Sequence, residues 1–157
     1  MAALVVYDSL YGNTERIASA VGAVLGAEAK RVGEVTPMDL ARCALLVVGS
    51  PTHAGRPSTA TKAFLATLSP GALEGKRVAA FDTRSVIESN AFVRLLVRVL
   101  GYAAPRLARE LRRLGGHVEG DPVGFLVHGK EGPLVDGEEA RAESWARGLR
   151  LGARLAG

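Results

Sequence analysis

At 157 residues, 48% of them hydrophobic and 23% charged, the chain has the size of one domain, and a domain of about 150 residues buries roughly 70% of the surface its unfolded chain exposes. Its single cysteine, Cys43, excludes an internal disulfide, and its nearest approach to a membrane span, residues 92–104, is too short and is interrupted by Arg94 and Arg98. The formal net charge of +4 favours acidic partners, while an aromatic content of 5% with no visible stacking platform argues against nucleic acid.

Residues 4–7 form an apolar run that predicts a buried strand, and a polar turn over residues 8–13 follows directly. Ile17, Ala18, Val21, Val24 and Leu25 then recur at helical spacing, so the turn leads straight into a helix N-terminus. Such a junction leaves the first helical N–H groups without intrahelical partners and points the positive end of the helix dipole at the turn. An anion belongs there. Ser9 and Thr14 offer hydroxyls, Gly12 lets the backbone approach a ligand, and Asn13 suits the N-cap or a left-handed turn position. The turn has no lysine, and it carries neither the G-x-x-x-x-G-K-[ST] pattern nor three spaced glycines, which removes the support for nucleoside triphosphate and NAD sites.

On these residues the stretch resembles the first-strand signature of the flavodoxin family. Val5, Val6, Tyr7, Ser9, Gly12 and Thr14 match it in register, as do Ala18 and Val21 on the helix behind. The resemblance implies a turn that wraps the terminal phosphate of FMN with hydroxyls and amides, here those of Ser9, Tyr11, Gly12, Asn13 and Thr14. It also implies an α/β fold: a doubly wound three-layer sandwich around a five-stranded parallel sheet in the order 2-1-3-4-5. The alternation of apolar runs with helical patterns favours a parallel α/β sheet independently, and one such domain accounts for residues 1–157. The competing reading is a polar βα turn in an ordinary doubly wound sheet.

Residues 29–35 read as a short second strand ended by Thr36 and Pro37, and residues 38–42 as a helical turn. Residues 44–48, the purest apolar run, predict the central strand, covered on both faces. Cys43, just before it, reads as a small buried residue. The exit of this strand, GSPTHAGRPS over residues 49–58, lies in the 2-1-3-4-5 order at the crevice between the first and third strands, where ligands bind. It resembles the flavin-facing loop of flavodoxin-like proteins. Pro51, Thr52, His53, Ala54 and Gly55 are therefore assigned to the ring, with Gly49 and Gly55 allowing close backbone approach. The loop has no Trp or Tyr, so His53 is its only ring. A hydrolase built on Ser50 and His53 lacks the G-x-S-x-G elbow.

A helix over residues 58–68, capped by Ser58 or Thr59, precedes a fourth strand at residues 77–81. The exit of that strand, residues 82–90, is where the resemblance places a third ligand loop, here without the usual glycines and aromatics. Asp82, Thr83, Arg84 and Ser85 are assigned to the polar edge of the flavin, where a cation such as Arg84 favours the reduced form. Residues 91–114 predict two helical pieces broken at 101–105. The first, with Phe92, Leu95, Leu96, Val99 and Leu100, is apolar nearly all round and is expected to be buried on more than one side, its surplus face against a second copy in a homodimer or against a partner. The second turns Leu107, Leu111 and Leu114 inward and presents Arg106, Arg109, Arg112 and Arg113 as a basic face. Residues 118–128 contain the fifth strand, clearest at 123–127. In the last helix Glu138, Glu139 and Glu143 come early and Arg147, Arg150 and Arg154 late, which suits the dipole, and Trp145 falls on the inward stripe.

The resemblance implies an electron-transfer protein whose noncovalent FMN cycles between oxidised, semiquinone and reduced states. Well-known flavodoxins are acidic; this chain is basic, so an acidic redox partner is expected. Two alternatives stand beside the carrier. One is a small FMN-dependent oxidoreductase of the quinone reductase or protoporphyrinogen dehydrogenase type. The other is a flavodoxin-fold interaction module that has lost the flavin. The carrier is preferred because no acid–base group pairs with a substrate pocket and no segment is long enough for a nicotinamide-binding domain. No metal site or transmembrane segment is expected, and with no leader-like stretch before the first strand the expected compartment is the cytoplasm.

Overall fold

Parallel strands covered on both faces read as unbroken apolar runs. In the computed structural model, which describes residues 2–86 and 91–155, the two purest such runs become neighbours. β1 (Ala3–Tyr7) lies parallel to β3 (Leu45–Pro51), with Val5 opposite Val47. β2 (Ala29–Arg31) flanks β1 on its far side, and β4 (Arg77–Ser85) pairs with the whole of β3. The last lane is held by two short strands in succession. β5 (His117–Val118) pairs with the start of β4, and β6 (Val123–Val127) with its end. The order 2-1-3-4-5 is as expected, with β6 as an additional strand beside β4.

Side-chain alternation along the strands divides the core in two. Val5, Val47, Phe81 and Phe125 face α1 (Asn13–Leu25) and α6 (Glu138–Leu155), meeting Ile17, Val21, Ala142 and Ala146. Val6, Leu46, Val48 and Val78 face the other way, where α3 (Thr59–Ala66) and α5 (Ala103–Arg113) supply Phe64, Leu65, Leu107 and Leu111. Cys43 is buried in this second cluster, and burial pushes its thiol above the ordinary range. Trp145 packs edge-on against Phe81 and Phe125, with ring centroids 6.0 and 6.3 Å away, as its place on the inward stripe of α6 implies. α2 (Pro37–Arg42) links β2 to β3, its N-terminus capped by Thr36, whose hydroxyl accepts from Asp39 N.

Three elements depart from expectation. β2 stops at Arg31, because a 3₁₀ turn over Val32–Glu34 folds the Glu34 carboxylate back onto Arg31 N at 3.3 Å. β4 runs four residues beyond Phe81, since β6 provides ladder partners for Phe81 to Ser85; Asp82, Thr83, Arg84 and Ser85 are strand residues, not a loop. The rest of that exit, residues 87–90, lies outside the described residues. The third departure is α4 (Ala91–Leu100). Phe92 is 70% and Val99 73% exposed, and no residue of α4 with described burial is buried. The place over β4 is taken by α5, whose Leu107 and Leu111 are 1% and 0% exposed, so α4 has no sheet left to cover. Among the described residues no helix is long and apolar enough to cross a membrane.

Candidate functional site

The C-terminal ends of β1, β3, β4 and β6 open on one cleft, and each contributes a distinct piece of it. After β1, Asp8 N donates to Gly49 O at 3.2 Å, which draws the turn along the end of β3. Gly12 N donates to Ser9 Oγ at 3.0 Å and closes the turn on itself. Arg31 of β2 supports the turn from outside, donating to Ser9 O at 3.1 Å while pairing with Glu15 at 3.0 Å. Beneath it burial pushes the Tyr7 phenol above its ordinary range, so that ring stays neutral. Gly12 has φ 90°, a left-handed conformation, and a Cβ there would meet nothing within 4 Å, so backbone conformation and not space selects glycine.

No side chain caps α1. The positive end of the helix therefore faces the cleft in the company of two buried hydroxyls. Thr14 and Thr83, 2% and 5% exposed, bring their Oγ1 atoms within 2.8 Å of each other. Hydroxyls and uncapped amides at a helix N-terminus suit a phosphate dianion without any cation in the turn. On this observation the residues present fit the terminal phosphate of FMN.

The exit of β3 is more structural than its sequence implies. Thr52 N donates to Thr83 O at 2.9 Å, and the Thr52 hydroxyl accepts from Ala103 N at 3.0 Å, at the start of α5. His53 and Arg56 exchange both main-chain hydrogen bonds at 2.9 Å around Ala54 and Gly55, which have φ 47° and 77°. This is a two-residue hairpin turn with both central residues left-handed. A Cβ on Gly55 would come within 2.4 Å of Leu100 O, so the glycine admits the end of α4. His53 is exposed on the cleft wall.

At the end of β4, alternate residues part. Thr83 faces α1, while Asp82 and Arg84 face α5. Asp82 is fully buried; its two carboxylate oxygens accept from Arg84 Nε and Nη2, both at 2.7 Å, and Oδ2 also accepts from Ala104 N at 2.8 Å. The guanidinium of Arg84 stacks on Tyr102, 3.6 Å from the ring centroid. Gly124 on β6 provides the floor, since a Cβ there would sit 2.0 Å from Arg84 Nε. Arg84 thus reaches the cleft with its charge already paired.

Sequence reasoning passed over the fourth piece. Val127, Gly129 and Lys130 line the cleft from the end of β6 and the loop after it, and Leu10 joins Tyr11 on the turn. Ser85 Oγ donates to Gly129 O at 2.7 Å, and Asn13 Nδ2 donates to Glu131 O at 2.9 Å, so Asn13 tethers this loop instead of capping α1. Lys130 brings a cation to a site whose turn has none. Nothing in the spacing of the GKEG run, residues 129–132, signals that it reaches a residue 118 positions away. Of the predicted residues, ten line the cleft: Ser9, Tyr11, Asn13, Thr14, Pro51, Thr52, His53, Thr83, Arg84 and Ser85. Gly12, Ala54, Gly55 and Asp82 shape it from behind.

Comparison with known proteins agrees with this fold. Residues 4–99 match the family model of the flavodoxin domain, whereas a search of curated proteins finds no match. Among solved structures, a flavodoxin from the domain Archaea aligns with a TM-score of 0.72 at 21% identity, over 93% of this chain and 94% of that one. A flavodoxin, WrbA-like protein from Agrobacterium tumefaciens aligns with a TM-score of 0.74 at 22% identity, over 97% of both chains. Rubredoxin oxygen:oxidoreductase from Desulfovibrio gigas aligns with a TM-score of 0.73 at 18% identity, over 99% of this chain but 37% of that one. At such identities the structural likenesses establish the fold. Because the family model takes in more than half of the chain, including the β1 turn and the exits of β3 and β4, this protein belongs to the flavodoxin family, with FMN as its cofactor and electron transfer as its work.

Proposed function

We propose that the protein holds FMN noncovalently in this cleft and serves as a cytoplasmic one-electron carrier for an acidic redox protein. The observation that carries the reading is the uncapped N-terminus of α1 beside buried Thr14 and Thr83. Ser9, Tyr11, Gly12, Asn13 and Thr14 surround the phosphate through hydroxyls and amides, and Lys130 adds long-range attraction. Pro51 and His53 border the ring, with Thr52, Ala54 and Gly55 holding their hairpin in place. Thr83 and Ser85 offer polar atoms to its edge. Asp82 and Arg84 act there as a neutral pair, so the bias of Arg84 toward the reduced flavin is smaller than that of a free cation. The redox chemistry comes from the isoalloxazine when FMN is bound. The apolar face of α4 is covered in use by a second copy or by the redox partner.

Titration of FMN fluorescence tests the cradle. Wild-type protein binds one equivalent, and Ser9→Ala or Thr14→Val weakens binding by about 10- to 100-fold, the value of a hydrogen bond to a charged group, ~1.5–3 kcal/mol. Unchanged affinity in both variants places the phosphate elsewhere. Turnover of NAD(P)H and quinones at enzyme-like rates with no added reductase overturns the carrier in favour of a small oxidoreductase.

A further inference from the structure

One groove on the surface carries a strong local excess of positive charge. Between α3 and α5, Arg56, Lys62, Arg106, Arg109 and Arg113 stand around a channel whose one acid is Glu110. Five cations against one anion leave an excess of four, equal to the net charge of the entire sequence, which has 20 Lys and Arg against 16 Asp and Glu. The other 15 basic residues equal the other 15 acids in number. Two of the five cations are engaged: Arg113 pairs with Glu110 at 3.0 Å, and Arg106 Nη2 donates to Leu100 O at 3.0 Å. The side chains of Arg56, Lys62 and Arg109 are exposed and make no ion pair or hydrogen bond among the described residues.

The groove adjoins the flavin cleft. Arg56 is bridged to His53, so the two sides of one hairpin face the groove and the cleft. Gly55, at the tip of that hairpin, lies against Leu100, the last residue of α4. Along α4, Phe92, Leu95 and Val99 are exposed, Arg94 and Arg98 are exposed with them, and there is no acid.

We infer that the basic groove and the apolar flank of α4 form one docking face for the acidic surface of a redox protein, which seats that partner at the rim of the flavin cleft. The inference rests on the FMN-carrier reading above. An apolar patch beside a charged rim is the anatomy of a protein interface. A small anionic ligand needs enclosure, and these cations stand on an open rim. A flat anionic membrane touches the rim but not the concave floor of Leu65 and Leu107. A second copy would set cation against cation, because a two-fold interface uses the same patch twice. In each encounter one electron passes from the reduced partner to the flavin, the partner is oxidised by one electron, and no covalent bond forms.

Stopped-flow mixing of the FMN-loaded protein with pre-reduced plant-type [2Fe–2S] ferredoxin, used as an acidic one-electron probe, tests the face through flavin absorbance. The second-order rate falls as salt rises. At low salt the double variant Lys62→Glu with Arg109→Glu slows it by about tenfold or more, while Arg154→Glu, on α6 across the sheet, leaves it within about twofold. Val99→Ser slows it without changing the salt slope. Indifference to salt and to the double reversal overturns the docking face, as does failure of ferredoxin to reduce a flavin that dithionite reduces; both leave the carrier reading standing. Failure of the protein to load FMN, or of dithionite to reduce it, removes the carrier reading itself. Loss of binding to anionic vesicles or duplex DNA in the double variant, with the ferredoxin rate unchanged, assigns the groove to lipid or nucleic acid. A dimer that the double variant dissociates assigns it to a second copy.

Discussion

Gly49 and Gly124 each make room for one neighbour, and the neighbours differ in kind. A Cβ at Gly49 would lie 2.0 Å from Phe81 Cζ, inside an aromatic cluster where Phe81 meets Phe125 at 5.9 Å between centroids. The glycine that reads in sequence as space for a flavin is space for the core. Gly49→Ala should destabilise the fold by about 1–3 kcal/mol through overpacking, read as a lower urea midpoint. Gly124 admits the Asp82–Arg84 pair. Asp82→Ala strands the guanidinium and removes the acceptor for Ala104 N, so a loss of about 3–5 kcal/mol is expected from chemical denaturation, the usual cost of breaking a buried pair. A loss below 1 kcal/mol would mean that solvent screens the pair as it does a surface one.

At the scale of elements, β6 is held by its neighbours on both sides, although it pairs with β4 alone among the strands. Glu138, the first residue of α6, turns Oε2 to Leu126 N at 2.6 Å and both oxygens to Arg141, whose guanidinium lies 4.6 Å from the centre of the Phe125 ring and donates to Gly124 O. This spends one carboxylate on an edge amide and a helix start together. The Arg141 hydrogen bonds, joined by the Leu126 amide, hold the Glu138 carboxyl below the usual range against the opposing effect of burial. A depressed folded pKa adds stability that is present above the unfolded value of about 4.3 and is lost as pH falls through the folded value. Glu138→Gln should therefore cost about 2 kcal/mol at neutral pH and flatten the fall of Tm between about pH 5 and pH 3; parallel thermal melts of both proteins across that range check it.

For the whole molecule, cofactor binding and folding are one linked equilibrium. At FMN 100-fold above its Kd the folded state gains about 2.7 kcal/mol, which for a domain of this size raises Tm by roughly 5–10 °C. Riboflavin, which lacks the phosphate, should raise Tm far less if the α1 cradle supplies the main share of binding. Equal shifts with both ligands would place the affinity in the ring and not in the turn. The charge distribution belongs to this scale too. Sequence reading identified a basic α5 face and a net charge of +4, but only the approach of α3 to α5 shows that a local excess collects beside the cleft.

What could be read from the sequence was set by short-range spacing. The strand, turn and helix over residues 5–21 form one contiguous unit, so the matches at Ser9, Gly12 and Thr14 already pointed to the turn that borders the cleft, and the inward stripe of α5 followed from helical period. The tertiary structure decided whatever depends on which strand lies next to which. β6 beside β4 turned a predicted loop into strand and buried Asp82 against Arg84. The tether from Asn13 to Glu131 brought Lys130 to the cleft. α5, by taking the place over β4, left α4 exposed. Periodicity reports which face of an element is apolar; what comes to lie against that face is settled by sheet order and by competition for a finite buried surface.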